Sequence, residues 1–560
     1  MTTIAEKLVL LSGTKGAIRN AIEAKGVPVP VETPFAVYPD KIAAISSGGA
    51  AEIWTPPVDW IDISTVNDNE INLLVNEGTG IAFSVVTASG TYSIDWGDGT
   101  VEIDRVSGTI YQHQHLIGGT PCTLGYNTWK IRIYGATADI TRWKVERHSY
   151  TSRPQYVPIL WMVFGTLRII SYSEMLGATS KLLCKVLQAC YIPSFEMCTT
   201  TYCMFYRCTS LVYVSLPSSW GSISNASYMF YLCSALTSVV LPSDWGNVLN
   251  LESLFAACYM LSSVTLPDNW GIVTNITGML NSCKALSSII LPLSWGTVQT
   301  ATALFAYSLL ISSVTLPDNW GSVTNIASMF NSCEALSDIV LPSSWGNIQT
   351  VSSLFSSCLK LVSVTLPNNW GMVTNIDYMF QRSDSIVSIT FPDSWGNISS
   401  ANYVFYQCGN ISKVFLPLSL GKVASAVMMF YLCYSLKTVN GVEFLGSNTI
   451  QSSLDYVLMD CEFIQQNIVI GSLLKKIGIN GSSGFLLKTN SIRLSNPGSL
   501  FAGTSPHVDV SYTSMAAAAL NLLFGDLPTL SGKTINITGC PGAATCTRSI
   551  ATAKGWAVTG

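Results

Sequence analysis

Charged residues are scarce in this sequence. Of its 560 residues, 29 are Lys or Arg, 33 are Asp or Glu and 4 are His, which gives a net charge of −4. The basic residues form no run and no stripe with aromatic residues, whereas a phosphate backbone is bound by clustered Lys and Arg. We therefore expect no nucleic-acid partner.

Long apolar runs are also lacking, although hydrophobic residues make up 48% of the chain. The longest run extends over residues 157–167, far short of the ~18–20 residues of a membrane-spanning helix. The opening MTTIAEKLVLLSGTKG has neither the long apolar block nor the small-residue cleavage site of a signal peptide. We therefore expect an unprocessed protein without membrane insertion.

Catalytic motifs are absent from the sequence as well. It contains no G-x-S-x-G, no Walker loop and no H-E-x-x-H. The repeats described next contain almost no Glu, so the acidic pairs of glycoside hydrolysis are missing there. Asp268 and Asp318 precede Asn at a turn, where Asp is common. We predict no enzyme and no bound cofactor.

A 25-residue repeat dominates the middle of the chain. A Trp-Gly dipeptide recurs three residues after a Pro, at Trp220, Trp245, Trp270, Trp295, Trp320, Trp345, Trp370 and Trp395. An aromatic column keeps the same step at Phe205, Phe230, Phe255, Phe305, Phe330, Phe355, Phe380, Phe405 and Phe430. A thiol column follows at Cys208, Cys233, Cys258, Cys283, Cys333, Cys358, Cys408 and Cys433. Leu280 replaces one Phe, and Ser308 and Ser383 replace two Cys.

A fixed period of this kind predicts a solenoid in which each repeat forms one coil. The segment LSSVTLPDN (261–269) fits L-x-x-V-x-L-x-x-N, a strand whose Leu, Val and Leu point inward, and Pro267 ends the strand. The segment VTNITGMLNSC (273–283) is then expected to form a short helical or 3₁₀ segment, with Cys283 closing the coil. Like side chains are expected to pack on their own copies in the next coil.

A second period of fifty residues is superimposed on the first. The coils at Trp270, Trp320 and Trp370 read NWGxVTNI, whereas those at Trp295 and Trp345 read SWGxxQT. The unit of recent duplication is therefore a pair of coils.

The pattern C-x-x-L-x-x-V-x-L-P…M-F-x-x-C over residues 200–440 resembles the BspA type of bacterial surface leucine-rich repeat. The Trp-Gly after the strand and the 25-residue length depart from the commoner, shorter coil of that family. The resemblance implies adhesion or ligand display rather than catalysis.

The flanking segments carry further resemblances. The N-terminal TKGAIRNAIEAKG and YPDKIAAI resemble a helical module of phage tail-fibre and baseplate proteins, and the C-terminal KTINITGCPGAATCTRSIATAKGWAVTG resembles the caps that end such arrays. TYSIDWGDGTVEI (91–103) resembles the D-W-G-D-G-T hairpin of PKD-like β-sandwich domains. The expected organisation is a helical virion-attachment module (1–45), a linker (46–52), a PKD-like or Ig-like β domain (53–150), an N-terminal solenoid cap (151–200), the leucine-rich-repeat solenoid (201–440), and irregular repeats with a C-terminal cap (441–560).

Two repeat columns also suggest chemistry. One Cys per coil forms a line rather than the four converging ligands of zinc, so we interpret the thiols as small buried packing groups, with a metal or disulfide role as the alternative. We interpret the tryptophans as a stacked corner whose indole N–H groups bond to loop carbonyls. The alternative is a sugar-stacking platform with Trp270, Trp320 and Trp370 as ligand contacts.

The hairpin and the histidines offer weaker ligand sites. Asp95 and Asp98 are candidate ligand contacts, for example for calcium, although carboxylates on a tight turn usually form the turn itself. His113 and His115 lie on one face of a predicted strand and suit a metal shared between subunits, but no third ligand is near in sequence. We predict no metal site.

These observations predict a phage virion protein of the tail, as a fibre, spike or baseplate component assembled in the host cytoplasm. The N-terminal module would bind other virion proteins, and the solenoid would bind a host receptor, glycan or protein; homo-oligomer formation stays open. The alternatives are a bacterial surface adhesin, a tail depolymerase acting through Asp95, Asp98, Asp268 or Asp318, and a purely architectural virion protein.

Overall fold

The protein is represented by a computed structural model. It describes position 66, residues 70–76, 80–114, 119–121, 127–136, 140–146, 159–164 and 187–440 (without 293, 318–319 and 418–421), short stretches between 453 and 495, and 507–560. The predicted helical module (1–45) and linker (46–52) lie outside the described residues.

Two antiparallel sheets form the region before the repeat. Its strands are β1 (Ile71–Asn76), β2 (Gly80–Thr87), β3 (Thr91–Asp95), β4 (Val101–Val106), β5 (Ile110–Gln114), β6 (Thr120–Pro121), β7 (Asn127–Tyr134) and β8 (Ile140–Glu146). One sheet has the order β1-β7-β3-β4 with β6 beside β7, and the other has the order β5-β2-β8. The Phe83 ring of β2 lies 5.0 Å from Trp143 in its own sheet and 5.4 Å from Trp96, which follows β3 of the other sheet, so aromatic packing joins the two sheets.

The first of these sheets continues into the solenoid. Strand β9 (Ile159–Phe164) pairs antiparallel with β1 and parallel with β10 (Ala189–Tyr191), and β10 pairs parallel with β11 (Tyr213–Ser215). A solenoid needs its terminal strand edge covered. Here the β domain supplies that cover at the N-terminal end of the array.

The array itself consists of short parallel strands spaced 25 residues apart. They are β12 (Ser238–Val240), β13 (Ser263–Thr265), β14 (Ser288–Ile290), β15 (Ser313–Thr315), β16 (Asp338–Val340), β17 (Ser363–Thr365), β18 (Ser388–Thr390), β19 (Lys413–Phe415) and β20 (Thr438–Asn440). Each strand has three residues, so the extended segment predicted over 261–269 is much shorter than expected. Leu261 is buried as predicted, whereas Val264 and Leu266 are only partly buried. The prediction of a solenoid of 25-residue coils is confirmed.

Parallel pairing resumes in the C-terminal part. The strands there are β21 (Ser453–Leu454), β22 (Ile468–Gly471), β23 (Lys476–Gly478), β24 (Ile492–Ser495), β25 (His507–Asp509), β26 (Lys533–Asn536) and β27 (Trp556–Thr559). Helix α1 (Ala517–Asp526) follows β25, and helix α2 (Ser549–Thr552) precedes β27. Strands β21, β23, β25, β26 and β27 form one sheet, so the solenoid architecture extends to the last residues.

The segment predicted as helical or 3₁₀ is instead a ribbon of turns, so that prediction is wrong. In the coil 251–258, the N–H groups of Leu251, Ser253, Phe255 and Ala257 donate to carbonyls of the next coil at 2.8–2.9 Å. The N–H groups of the residues between them close local turns within the coil. Coil-to-coil bonding thus replaces the helix, and every amide of 251–258 has an acceptor, which for Glu252 is Asn250 Oδ1.

Left-handed residues make this ribbon possible. Ser253 and Ala257 have φ of 52° and 61°, and equivalent positive values recur in the neighbouring coils. A left-handed L-residue costs roughly 1–2 kcal/mol, which the bonds to the next coil offset. Val, Ile and Thr are absent from these positions among the described residues, as expected for side chains that tolerate positive φ poorly.

We therefore expect Ser328→Val to lower the free energy of unfolding by about 1–2 kcal/mol or more. Ser328 has φ of 57°, and Gly278 occupies the same place in the coil pair before it. The matched control Ser328→Gly should be close to neutral because glycine adopts this conformation readily. Chemical denaturation of both variants tests the effect, and equal stability of the two would contradict the left-handed assignment.

The fifty-residue period of the sequence appears as pairing of strands. Strand β12 bonds to β13, β14 to β15, and β16 to β17, whereas no ladder joins β13 to β14 or β15 to β16. Within pairs, a Cβ on Gly321 or Gly371 would collide with the carbonyl oxygen of Gly296 or Gly346. A Cβ on Gly296 or Gly346 would meet nothing within 4 Å. From β11 to β18 the strand side therefore opens at every second coil, whereas β18, β19 and β20 form one continuous sheet.

The opposite side of the coil stays closed throughout. Parallel bridges link Asn275 to Thr300, Thr300 to Asn325, and Asn325 to Thr350, across both kinds of junction. The Asn side chains also accept backbone bonds: Asn275 Oδ1 lies 2.9 Å from the N–H of Thr277. The Asn/Thr bridges and the turn ribbon thus hold the coils together where the strands do not.

Candidate recognition surface

The tryptophan column is a stack of buried rings. Centroids of Trp220 and Trp245 are 5.6 Å apart, and those of Trp295 and Trp320 are 5.3 Å apart, with nearly parallel planes. The distance grows to 6.3 Å between Trp270 and Trp295, which face each other across an open junction. Neighbouring tryptophans thus stack in register from Trp220 to Trp320, and the widest of these spacings lies across an open junction.

The three tryptophans considered as sugar contacts lie inside this stack. Trp270, Trp320 and Trp370 are only 3%, 5% and 4% exposed. Ring faces that neighbouring side chains cover offer no platform to a pyranose ring, so burial favours the packing interpretation.

The indole N–H groups divide into two classes. Trp320 and Trp370 donate to the carbonyls of Pro317 and Pro367 at 2.8 Å, as expected. The other six indole N–H groups have no hydrogen-bond acceptor, so the expectation that each would bond to a loop carbonyl is wrong for them. They belong to Trp220, Trp245, Trp270, Trp295, Trp345 and Trp395.

The phenylalanine and cysteine columns work together. Phe230 stacks on Phe255 at 5.2 Å, and Phe330 on Phe355 at 5.7 Å. From Cys233 onward, the thiols of the column donate to the carbonyl of the Phe in the preceding coil: Cys258 Sγ lies 3.1 Å from the Phe230 oxygen. The same bond is made by Cys233, Cys283, Cys333, Cys358, Cys408 and Cys433.

This bond explains the two serines in the thiol column. Ser308 Oγ donates to the carbonyl of Leu280 at 2.9 Å, and Ser383 Oγ donates to that of Phe355 at 2.6 Å. A hydroxyl therefore replaces the thiol wherever the column changes. The column is a row of hydrogen-bond donors as well as a row of small buried groups.

Burial keeps these thiols protonated. Desolvation raises the pKa of Cys408 to about 12 and that of Cys258 well above its usual value. Since metal ligation and disulfide exchange need the thiolate, the column is unsuited to both. Within the described parts of the chain, no group of three or more His, Cys, Asp or Glu could hold a metal ion.

The β3–β4 turn holds Asp95 and Asp98, the other candidate ligand contacts. Asp95 Oδ1 accepts the N–H of Gly97 at 2.9 Å, and Asp98 Oδ1 accepts that of Thr100 at 3.0 Å. Asp98 Oδ2 lies 2.6 Å from His113 Nε2. Both carboxylates are therefore engaged in forming the turn and its contact to β5. His115 lies outside the described residues.

Neighbouring side chains hold the Asp98–His113 contact in place. The His113 ring stacks on Trp96 at 4.8 Å, and the Trp96 indole donates to Glu102 Oε1 at 3.1 Å. Partial burial raises the pKa of Asp98, but the bonds from His113 and Thr100 prevail and lower it to about 2.

Asp98 is expected to make the β domain sensitive to acid. The pKa of Asp98 is about 2 in the folded state, against an ordinary value of 3.8. The stability that the ionised carboxylate contributes is therefore fully present above pH 3.8 and is lost as the pH falls through the folded-state pKa. The melting temperature of the parent should exceed that of Asp98→Asn at pH 5, and the difference should shrink towards pH 2. A difference that does not change over this range would contradict the assignment.

The strand face carries grooves at open junctions. One of about 340 Å³ lies between β15 and β16 and is lined by Ser313–Pro317 and Asp338–Pro342. Another of about 410 Å³ lies between β11 and β12. Val240, Ile290 and Val340 lie two coils apart on this face and are 75–80% exposed. This face is thus regular and largely uncharged.

Two clusters of partly exposed tyrosines lie on the turn ribbon, and periodicity did not reveal them. The first tyrosine cluster comprises Tyr202, Tyr206, Tyr228 and Tyr231, with Tyr206 and Tyr231 stacked at 5.0 Å. The second tyrosine cluster comprises Tyr378, Tyr403, Tyr406 and Tyr431, with Tyr378 and Tyr403 stacked at 4.8 Å. The sequence signal was present in the repeated Tyr at positions equivalent by multiples of 25, which a search for unbroken columns overlooks.

The fold and its side-chain columns define a leucine-rich-repeat-type solenoid. Residues 183–302, 252–377 and 352–483 match the BspA type leucine rich repeat region, in six copies. These matches together extend over more than half of the 560 residues. The chain therefore belongs to the BspA type leucine-rich repeat family.

Solved structures of two bacterial proteins are similar to this chain. A leucine-rich repeat protein from Bacteroides ovatus ATCC 8483 has 17% identity and a TM-score of 0.38, with 72% of this chain and 92% of that protein covered. A leucine-rich repeat protein of T. pallidum has 14% identity and a TM-score of 0.18, with 42% and 87% covered. No curated protein matches the chain significantly.

Among the described residues, no helix is long and apolar enough to cross a membrane.

Proposed function

We propose that this protein is a binding protein that presents the surface of its solenoid to a partner and performs no chemistry on it. The observation that carries this proposal is the coil-to-coil bonding of the turn ribbon, where the amides of 251–258 all have acceptors. A surface fixed in this way loses little conformational entropy when a partner binds.

The composition of the surface supports the same role. The described faces of the array carry mainly Ser, Thr, Asn and apolar side chains, and the whole chain has only 62 charged residues as 29 basic and 33 acidic ones. Few titratable groups of the array lie close to one another, whereas acid–base catalysis needs positioned groups of that kind. Recognition through shape and neutral hydrogen bonds fits this surface better.

The proposed setting is a phage tail. Residues 1–45 would dock the chain to other virion proteins, the β domain would act as a spacer, and the solenoid would contact the host receptor. The support for this setting is the resemblance of the terminal segments to phage tail-fibre and baseplate proteins. Several copies on one particle would add avidity to a modest single-site affinity.

Mass spectrometry of purified phage particles from a host strain that carries the gene tests the setting. We expect this chain in the particles, and an antibody to residues 201–440 should label the tail in electron micrographs. Particles that lack the chain, together with label on the bacterial surface, would favour the rival adhesin.

A second experiment separates host attachment from a purely architectural role. The purified full-length chain should bind host cells and compete with phage adsorption. Adsorption that is unaffected by saturating protein, with the chain present in the particle, would favour the architectural role.

A further inference from the structure

Three of the eight clustered tyrosines occupy backbone positions that do not suit tyrosine. Tyr228, Tyr378 and Tyr403 have φ of 57°, 60° and 58°, in the left-handed region. A bulky side chain there is sterically unfavourable, although the left-handed backbone itself belongs to the ribbon and recurs in coil after coil. The equivalent positions of the coils between the clusters hold Ser253, Gly278, Ala303, Ser328 and Ser353.

Stacking of tyrosines is therefore not needed to build the ribbon. The coils from 253 to 353 have small side chains at the position of Tyr228 and Tyr378, and their backbone makes the same hydrogen bonds there. The tyrosine rings also remain partly exposed, and Tyr378 is 36% exposed. Aromatic surface that is strained, exposed and dispensable for the coil is better explained by a ligand than by the fold.

Polar groups surround each cluster in a similar way. In the first, the Tyr228 hydroxyl donates to Glu252 Oε1 at 2.6 Å, and the Arg207 guanidinium lies 5.3 Å from the Tyr206 ring centre. Beside the second, Asp377 Oδ1 accepts from the Ser400 hydroxyl at 2.7 Å and from the N–H of Asn402 at 2.7 Å. Arg382 follows in the same coil and is exposed.

One basic and one acidic residue thus accompany each cluster, so neither cluster favours a ligand of one charge. A peptide strand needs free backbone donors and acceptors, but the ribbon amides bond within the array. Aromatic faces beside hydroxyl, amide and carboxylate groups suit a ligand with apolar C–H faces and many hydroxyls.

We propose that the two tyrosine clusters are the contact sites for a neutral glycan chain. This inference rests on the proposed function, because it specifies the partner of the same solenoid surface. Tyr228 and Tyr378 are six coils apart, which is roughly 29 Å at ~4.8 Å per coil. An extended glycan that contacts both clusters would bind more tightly than one that contacts a single cluster, because the second contact forms within the same complex.

Binding of the full-length chain to an array of neutral, sialylated and sulfated oligosaccharides tests the proposal, followed by calorimetry with the best neutral ligand. Tyr378→Ser introduces the residue that Ser328 and Ser353 provide at the same place in the coil, so the fold is retained. We expect it to weaken binding about tenfold, the loss that removal of a well-buried aromatic contact gives. Combining it with Tyr228→Ser should abolish binding.

Tyr259→Ser is the matched control, because Tyr259 is exposed at 39% but lies outside both clusters. It should leave the affinity unchanged, and circular dichroism should be the same for all variants. Absence of binding to every neutral glycan, binding to acidic glycans only, or unchanged affinity of Tyr378→Ser would overturn the inference. Host-cell binding that persists in the double variant would refute the glycan sites and leave the proposed attachment role standing.

Discussion

Trp320→Ala should lower the free energy of unfolding by about 3–5 kcal/mol, the cost of truncating a large buried aromatic side chain. The Trp320 ring is 5% exposed, stacks on Trp295 at 5.3 Å and donates its indole N–H to Pro317 at 2.8 Å. The substitution removes the stack, the hydrogen bond and the volume together. Guanidinium denaturation followed by circular dichroism measures the loss.

Ile272→Ala is a suitable control for this experiment. Ile272 lies two residues after Trp270 and is 44% exposed, so its truncation should change stability by less than about 0.5 kcal/mol. If Trp320→Ala unfolded like the parent while glycan binding disappeared, the packing interpretation of the tryptophan column would be wrong.

Gly321→Ala is expected to destabilise the protein by about 2–5 kcal/mol, from left-handed strain and overpacking combined. Gly321 has φ of 55°, and a Cβ there would collide with the carbonyl oxygen of Gly296 in the paired coil. Because the obstacle is backbone, relief requires the two coils to move apart. Thermal and chemical denaturation of the variant test this expectation.

Gly346→Ala provides a matched comparison within the same column. Gly346 has φ of 50°, but a Cβ there meets nothing within 4 Å because the junction before it is open. We expect a loss of about 1 kcal/mol from backbone strain alone. Equal losses of stability in Gly321→Ala and Gly346→Ala would contradict the closer approach of the paired coils that the structure shows at Gly321.

The residues that repeat at intervals of 25 made the solenoid predictable. Trp, Phe and Cys at intervals of 25 can stack only if every coil has the same length, and they are buried as that argument requires. Ser308 and Ser383 looked like interruptions of the thiol column, but their hydroxyls make the same bond. This position needs a small side chain that donates a hydrogen bond to the buried carbonyl of the preceding coil. That need arises from the packing of the coils, and the repeat pattern alone did not reveal it.

The turn ribbon could not be predicted because its backbone geometry leaves little trace in the residue types. Only Gly278 marks the left-handed position, whereas Ser253 and Ser328 occupy it without a glycine signal. The segment 273–283 has apolar spacing compatible with a helix, and coil-to-coil bonding overrides that local preference. The tyrosine clusters were missed for a related reason: they interrupt a column instead of continuing it.

The alternation of bonded and unbonded strand junctions could not be predicted from the sequence for a different reason. The alternation of NWGxVTNI and SWGxxQT indicated pairs of coils, but both sequences provide a strand that can pair on either side. Which junction closes depends on the approach of Gly321 to Gly296 and on the spacing of the tryptophans. These are packing distances, and a sequence period does not contain them.

Disulfide trapping tests most directly whether the coils stack in register and in pairs. Ser288 and Ser313 are partners in the β14–β15 ladder, and parallel neighbours lie ~4.8 Å apart, within the Cα range of a disulfide. Ser288→Cys with Ser313→Cys should form an intrachain bond under mild oxidation, detected by mass spectrometry. Ser313→Cys with Asp338→Cys, across the open junction, should form far less. No bond in the first variant would contradict the 25-residue register, and equal yields would contradict the pairing.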